Sequence, residues 1–391
     1  KQLTPESRRR RFLMAGDAPE PVVDQLCRTA DPSRGMTLLA HRQVHDASRI
    51  VAVASYTAMT GTAAEVAFAV DERFQGKGIS TLLLEQLAAI ASVNGFTRFH
   101  ATTLADNDAM REVFRDSGFE IRSKSDHGVV DVQLSLTPSL EGVTLAERRR
   151  HLSVVESLKP LLAPRGVAVI GASRSPDKLG GRILRAIQAA GFHGPVYAVH
   201  PEATEISGSP AVRSARDLPA GVDLAVIAVP PQAVLGVVDD CAARSVRSLV
   251  VITAGFAEVG SEGRALQNRL AEKVRGYGMR MVGPNCMGLL AFDSAVRLNA
   301  SFSPVFPDAG HVALSSQSGA LGIAILDLAV ERRVGLSAFV SVGNKADVSS
   351  NDLLEYWEDD PATRVILLYL ESFGNPRRFG RVARRIGRTK P

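Results

Sequence analysis

The chain has 391 residues, 45% of them hydrophobic and 22% charged, and at about 100–200 residues per domain it should hold two to four folded cores. Its net charge of +5 is carried by arginine clusters at residues 8–11, 148–150 and 377–388; no aromatic single-strand platform, zinc finger or basic zipper accompanies them, so nucleic acid is not an expected partner. No apolar run reaches the roughly 18–20 residues of a membrane span, and the start Lys1-Gln2-Leu3-Thr4 lacks a secretory pattern, so a cytoplasmic protein without a membrane partner is expected. Cys27, Cys241 and Cys286 are too scattered for a disulfide framework or a zinc spacing; they read as free thiols, and no metal is expected.

The chain starts without Met in a charged helix at Thr4-Pro5-Glu6-Ser7-Arg8 and stops at Lys390-Pro391, which reads as a trimmed or partial reading frame. Residues 65–70 form an apolar strand, 71–78 a glycine-rich turn and 80–91 an amphipathic helix. Glycines at 76 and 78 let the backbone approach an anion, and the helix that follows aims N–H groups and its positive dipole end at the same place. A strand at 98–102, the segment 104–110, a second helix and Ser117-Gly118-Phe119-Glu120 come next. The alternating strand 130–136 and Thr137-Pro138 close this unit.

Residues 141–159 read as a polar, arginine-rich linker helix with Pro160 and Pro164 at its exit. From Gly166 short apolar runs alternate with helices, as in a parallel sheet covered on both faces. Strands are expected at 167–170, 196–199, 224–229, 249–252 and 281–282, and a further α/β unit has strands at 311–314, 338–342 and 365–370. The dinucleotide fingerprint G-x-G-x-x-G is absent, and the second strand ends in His200-Pro201 instead of a ribose-binding carboxylate.

Arg73-x-x-Gly76-x-Gly78, in this order of elements, resembles the phosphate loop of the GNAT acetyltransferases. The resemblance implies an acetyl-CoA site at Val70, Arg73, Phe74, Gln75, Gly76, Lys77, Gly78, Ile79 and Ser80. It also makes Glu65 the catalytic base that deprotonates a lysine ammonium. Asn107 would either bond the pantetheine arm or cap a helix. Phe114 stands where many relatives carry a tyrosine acid, and the first GNAT strand is expected to be missing.

Gly171-Ala172-Ser173, the segment from Val196 to Pro201, Ala254-Gly255-Phe256, Gly283-Pro284-Asn285-Cys286-x-Gly288 and Ser315-Ser316-Gln317-Ser318-Gly319 resemble the CoA-binding and ligase domains of ADP-forming acyl-CoA synthetases. One departure is His200, where those relatives usually carry Asn. The resemblance implies that Gly171, Ala172, Ser173 and Lys178 contact CoA, that Asn285 lies near its pantetheine end, and that Ser316, Gln317, Ser318 and Gly319 receive a phosphate. Those ligases relay phosphate through a histidine, steadied by a glutamate at the place of Glu371, from ATP held on an ATP-grasp domain. No histidine follows His311 here.

The expected fold is therefore α/β: a GNAT unit at 1–137, a linker helix at 138–160, a Rossmann-like CoA-binding domain at 161–293 and a partial flavodoxin-like ligase domain at 294–391. Fusion of these units resembles the Pat-type bacterial protein lysine acetyltransferases. That resemblance implies an acetyl-CoA-dependent N-acetyltransferase acting on a protein lysine, for instance of an AMP-forming acyl-CoA synthetase, with ligase activity unlikely. The alternatives are part of an ADP-forming acyl-CoA ligase whose ATP-grasp domain is missing from the chain, and a CoA-responsive scaffold with an inactive GNAT unit. A homo-oligomer stays open.

Overall fold

A computed structural model describes residues 4–6, 9, 20, 24, 31–44, 47–137 and 140–391. The expectations for the missing first strand, the helix at Thr4 to Arg8 and the thiol of Cys27 lie wholly or largely outside them. The chain divides into two units, Lys1–Arg150 and His151–Pro391.

In the first unit, strands β1 (Gly35–Val44), β2 (Ala47–Ala58), β3 (Ala63–Val70), β4 (Arg98–Leu104), β5 (Ile121–Asp126) and β6 (Val129–Ser135) form one sheet in the order β1-β2-β3-β4-β6-β5. Helices α1 (Ile79–Val93) and α2 (Asp108–Asp116) connect β3 to β4 and β4 to β5. Helix α1 buries Leu83, Leu84, Leu87, Ala88 and Ala91, a stripe at helical spacing that packs with Ala54, Tyr56, Phe99 and Leu134. Each fully buried leucine there contributes about 2 kcal/mol by leaving water.

The parallel pair β3/β4 decides where this unit can hold a ligand. Its ladder runs only from Ala63↔Arg98 to Glu65↔His100, although β3 continues to Val70 and β4 to Leu104. Beyond Glu65 and His100 the strands part, and the backbone groups that face the gap are released from the ladder.

Helix α3 (Leu140–Leu162) starts in the first unit; its part in the second continues through Pro160 and ends by burying Leu158, Leu161 and Leu162. Pro160 therefore lies inside the helix and does not mark its exit. Strands β7 (Val167–Ile170), β8 (Val196–Val199), β9 (Glu205–Ile206), β10 (Ser209–Val212), β11 (Leu224–Ile227), β12 (Ser248–Val251) and β13 (Arg280–Val282) form a sheet in the order β13-β12-β11-β7-β8-β10-β9. Every residue of β7, β11 and β12 is buried, because α4 (Leu179–Ala190), α5 (Pro231–Ala243) and α6 (Ser261–Gly276) are interleaved with them as crossovers.

A second sheet has the order β15-β14-β17-β16-β18, from β14 (Gly288–Ala291), β15 (Leu298–Ser301), β16 (Ala309–Ser316), β17 (Leu336–Ser341) and β18 (Val365–Tyr369). Its helices are α7 (Gly319–Glu331), α8 (Ser350–Asp359) and α9 (Pro376–Ile386). Strand β14 already pairs antiparallel with β17, so the second sheet begins before residue 294. One core joins Leu161, Val169 and Leu184 to Leu289, Val340 and Trp357, and the two sheets share a hydrophobic interior for that reason.

Candidate functional site

The gap between β3 and β4 opens a cavity of about 360 Å³ lined by Phe68, Val70, Gln75, Gly76, Thr103 and Asn107, among others. Gly76 and Gly78 have φ of +70° and +74°, the left-handed region that favours glycine. Gly78 is also the N-cap of α1 and supplies no side chain to it, so the first-turn N–H groups are left for an anion.

Of the residues expected here, Val70, Phe74, Gln75, Gly76, Gly78, Ile79, Ser80 and Asn107 line this cavity. Arg73 is turned back onto Asp71, with Nε–Oδ1 of 3.0 Å and Nη2–Oδ2 of 2.6 Å, and its hydrogen bonds hold the Asp71 carboxyl below the ordinary carboxylate range. The Lys77 ammonium lies over the Phe74 ring, 4.9 Å from its centre. Asn107 is the N-cap of α2: its Oδ1 accepts from the Met110 N–H at 3.3 Å and its Nδ2 donates to Thr103 Oγ1 at 3.2 Å. Phe114 is buried edge-on to Phe68 and has no proton to give. Glu65 does not line this cavity. It lines a separate one of about 460 Å³ with His100, Arg122, Lys124 and Asp131.

In the second unit the first sheet reverses direction of growth at β7, with β8 on one side and β11 on the other. Ligands of open α/β sheets settle at the carboxyl ends of such strands. Gly171 follows β7, and a Cβ there would stand 2.4 Å from the Ala228 carbonyl oxygen beyond β11. Gly180 and Gly181 bring the start of α4 onto the same loop; added Cβ atoms would meet Gly171 O at 2.0 Å and Ser175 O at 2.2 Å. Ser173 Oγ accepts from the Ser175 N–H at 3.1 Å. Lys178 is the N-cap of α4 and caps nothing with its side chain. At the end of β8, His200 Nδ1 accepts from the Glu202 and Ala203 N–H groups, both at 3.1 Å, the work an Asn side-chain oxygen can do in the same turn.

The second sheet has its own reversal at β16, flanked by β17 and β18. There Ser316 Oγ donates to Ser318 O at 2.7 Å, and Ser318 caps α7 by accepting from the Leu321 N–H at 3.3 Å. Both hydroxyls shape the turn, and Gln317 points across it: its Oε1 accepts from the Glu371 and Ser372 N–H groups at 3.1 and 3.2 Å and from Lys345 Nζ at 3.4 Å. Burial pushes the Lys345 ammonium down from its ordinary pKa, and the nearby Glu371 charge opposes that.

A strip of backbone joins the loop after β13, at the edge of the first sheet, to the loop after β17 in the second. The Asn344 N–H donates to Pro284 O at 2.9 Å and the Ala346 N–H to Gly283 O at 3.1 Å, while a Cβ on Gly343 would stand 2.4 Å from Asn285 O. Asn285 Nδ2 donates to Asn344 Oδ1 at 3.3 Å, and Asn344 Nδ2 donates to Glu258 Oε2 at 2.5 Å and Gln267 Oε1 at 2.9 Å. Burial works against the Glu258 charge, yet the Asn344 amide and the Gly255 and Phe256 N–H donors outweigh it and hold the carboxyl below its ordinary pKa. Sequence reasoning missed Glu258, Asn344 and Lys345. Gly343-Asn344 after an apolar run marks a turn, but nothing in the sequence says what the turn touches. Cys241 and Cys286 are buried, which pushes both thiols up to about 12; neither is poised as a nucleophile.

Residues 7–119 match the acetyltransferase (GNAT) family, 165–291 the CoA binding domain and 309–391 the succinyl-CoA ligase like flavodoxin domain. The chain is 42% identical over 239 residues to the acetate–CoA ligase [ADP-forming] I subunit alpha of Pyrococcus furiosus, covering 60% of this chain and 51% of that protein. Among solved structures it resembles the apo form of the dinucleotide-forming acetyl-coenzyme A synthetase 1 of Ca. Korarchaeum cryptofilum, with a TM-score of 0.58, 46% identity and coverage of 60% of this chain and 51% of that one. The chain thus spans about half the length of these relatives. Its match to the acetyltransferase Pat of Mycolicibacterium smegmatis is 39% identity over 77 residues, 20% of this chain and 23% of that protein.

These matches correct the expected protein lysine N-acetyltransferase with ligase activity unlikely: similarity along 60% of the chain is to ADP-forming ligases, whereas the match to the protein acetyltransferase Pat covers 20% of it. The physical reason is that Arg73-x-x-Gly76-x-Gly78 specifies a phosphate cradle on a fold, and a cradle fixes neither the acceptor nor the reaction. The chain carries a GNAT domain, a Rossmann-like CoA-binding domain and a flavodoxin-like ligase domain, with CoA or acetyl-CoA as the cofactor class of this α/β assembly.

Proposed function

We propose that residues 151–391 belong to an ADP-forming acyl-CoA ligase, which converts a small carboxylic acid such as acetate, ATP and CoA into acyl-CoA, ADP and phosphate. The observation that carries this reading is the backbone strip 283–285/343–346, which holds the carboxyl end of β13 in the first sheet against that of β17 in the second. A ligase of this kind needs that arrangement, because the CoA thiol must reach an acyl phosphate. The thiol sulfur attacks the acyl carbon, the C–S bond forms, the bond from the acyl carbon to the phosphate oxygen breaks, and phosphate departs with that electron pair and takes up the thiol proton. Holding both reactants in one frame removes the entropic cost of their encounter.

In this reading Gly171, Ala172, Ser173 and the start of α4 at Lys178 take the phosphates and adenosine of CoA. Asn285 lies by the pantetheine end, and the turn Ser316–Gln317–Ser318–Gly319 receives the phosphoryl group at α7. Glu371 is the acidic neighbour of that group, and an ATP-grasp domain is the partner that supplies ATP. The test is production of ADP, phosphate and acetyl-CoA in equal amounts from acetate, ATP and CoA by the complete reading frame, supplied with an ATP-grasp chain. Formation of AMP, or no acetyl-CoA, would sink the reading.

The cavity of the first unit is assigned to CoA or an acyl-CoA, on the open N-terminus of α1 and the parted strands β3 and β4. Gly76→Asp places a carboxylate against the bound pyrophosphate, so calorimetry with CoA should lose one of two sites. Retention of both, or loss of both, would defeat the assignment.

A further inference from the structure

Three donors from two separate loops converge on a single oxygen. The Glu371 and Ser372 N–H groups, successive in the loop after β18, and the Lys345 ammonium, from the loop after β17, all point at Gln317 Oε1, at 3.1, 3.2 and 3.4 Å. An amide carbonyl oxygen has two lone pairs, so it cannot satisfy three donors well, and the bond to the cation is the longest of the three. Successive N–H groups form a concavity suited to an anion, and a charged oxygen accepts from such donors about twice as strongly as a neutral one.

Other features of Lys345 fit a residue held for a ligand. Its φ is +57°, a left-handed conformation uncommon for a side chain of this size. Its remaining hydrogen bonds, to Ser372 O at 2.6 Å and Ser372 Oγ at 2.7 Å, go to neutral oxygens and keep the ammonium beside the same turn. The loop is reachable from solvent: Glu371 and Ser372 are exposed, Gln317 and Lys345 half-buried.

We propose that the Glu371 N–H, the Ser372 N–H and the Lys345 ammonium form an oxyanion-binding subsite, that the Gln317 amide oxygen fills it in the structure, and that an oxygen of phosphate or of a carboxylate replaces it on binding. Under the ligase reading, on which the choice of ligand rests, the two sources are the phosphate released by the reaction and the acid that enters it. The subsite then gives Gln317 an unexpected role, because the side chain competes with the ligand for its donors. The Glu371 carboxylate in the same turn favours a weakly charged or partly neutralised oxyanion, and Lys345 offsets it.

The test has an unusual sign. Gln317→Leu vacates the subsite, so the 391-residue chain should bind inorganic phosphate or acetate at least 10-fold more tightly by calorimetry, and Lys345→Met added to it should abolish the gain. Phosphate titrated alone and acetate titrated alone distinguish the two sources. Gln317→Glu plugs the subsite with a charged oxygen and should weaken binding of both below the wild-type level, which keeps the test decisive if the leucine variant misfolds. Equal or weaker binding by a folded Gln317→Leu chain, a gain indifferent to Lys345→Met, or unweakened binding by Gln317→Glu each overturns the proposal. Acetyl-CoA formation by the complete reading frame is measured separately, so loss of the ligase reading and loss of the subsite are distinct results.

Discussion

The two glycine-bearing loops that open helices α1 and α4 reach a similar end by different physics. Around Gly76 and Gly78 an added Cβ would meet nothing within 4 Å, and glycine is there for its positive φ. Around Gly171, Gly180 and Gly181 the added atom would collide with backbone oxygens at 2.0–2.4 Å, so glycine is there because two strand ends and a helix start lie in contact. The first loop needs only a conformation; the second needs a vacancy at all three glycines, and at Gly171, with φ of +85°, a conformation too. A motif read as letters does not separate these cases, although substitution separates them sharply.

The largest effect should come from the crowded loop. Gly180→Ala forces the Gly171 carbonyl to move and should cost about 3 kcal/mol, the upper part of the usual range for overpacking, seen as a lower unfolding midpoint of the second unit. Gly76→Ala should cost about 1 kcal/mol, from the left-handed backbone alone, in the first unit. Equal costs would break the comparison.

A smaller, pH-dependent difference should separate the units at the Glu258 carboxylate. Its pKa is depressed in the folded chain, so its contribution is complete above the unfolded value of about 4.3 and is lost as the pH falls through the lower folded value. Acid unfolding of the second unit should therefore be less steep in Glu258→Gln over that window, and that of the first unit unchanged. Identical acid curves for wild type and variant would remove Glu258 from the strip joining the two sheets.

The smallest effect is expected at His200. Asn can accept the same two N–H groups, so His200→Asn should change stability by no more than about 0.5 kcal/mol. His200→Ala leaves both donors without the ring nitrogen and should cost about 1 kcal/mol. A large loss in the asparagine variant would mean that the imidazole does something besides accept.

Much of the fold was legible because strands buried on both faces must be apolar throughout. The runs at 167–170 and 224–227 declare themselves in this way, as does the stripe Leu83, Leu84, Leu87, Ala88, Ala91 of α1. Strands β1 and β2 escaped notice, since β2 starts with four exposed residues and becomes buried only further along. Strand β14 was not legible for a related reason: Gly288 to Ala291 is a short apolar run that either sheet could bury, and only its pairing with β17 decides. At the site, the loops with glycine and serine signals were found, and of their partners Glu371 was named but Glu258, Asn344 and Lys345 were not. Arg73 matched a motif and is spent on Asp71, while Lys345 and Asn344 matched none and sit where the loops meet.

What the sequence determined by itself was local: which segments are strands or helices, which turns need glycine, and which helix starts are left open to an anion. Hydrophobic period, turn chemistry and capping act over a few residues, so the order of letters is enough to read them. Only the tertiary structure decided that β3 and β4 part after Glu65 and His100, that the loops 283–285 and 343–346 run side by side, and that donors at 345, 371 and 372 meet at one oxygen. Those facts depend on contacts between residues far apart in the chain, and a pairing of that kind is set by the packing of the whole sheet, which no local stretch of sequence encodes.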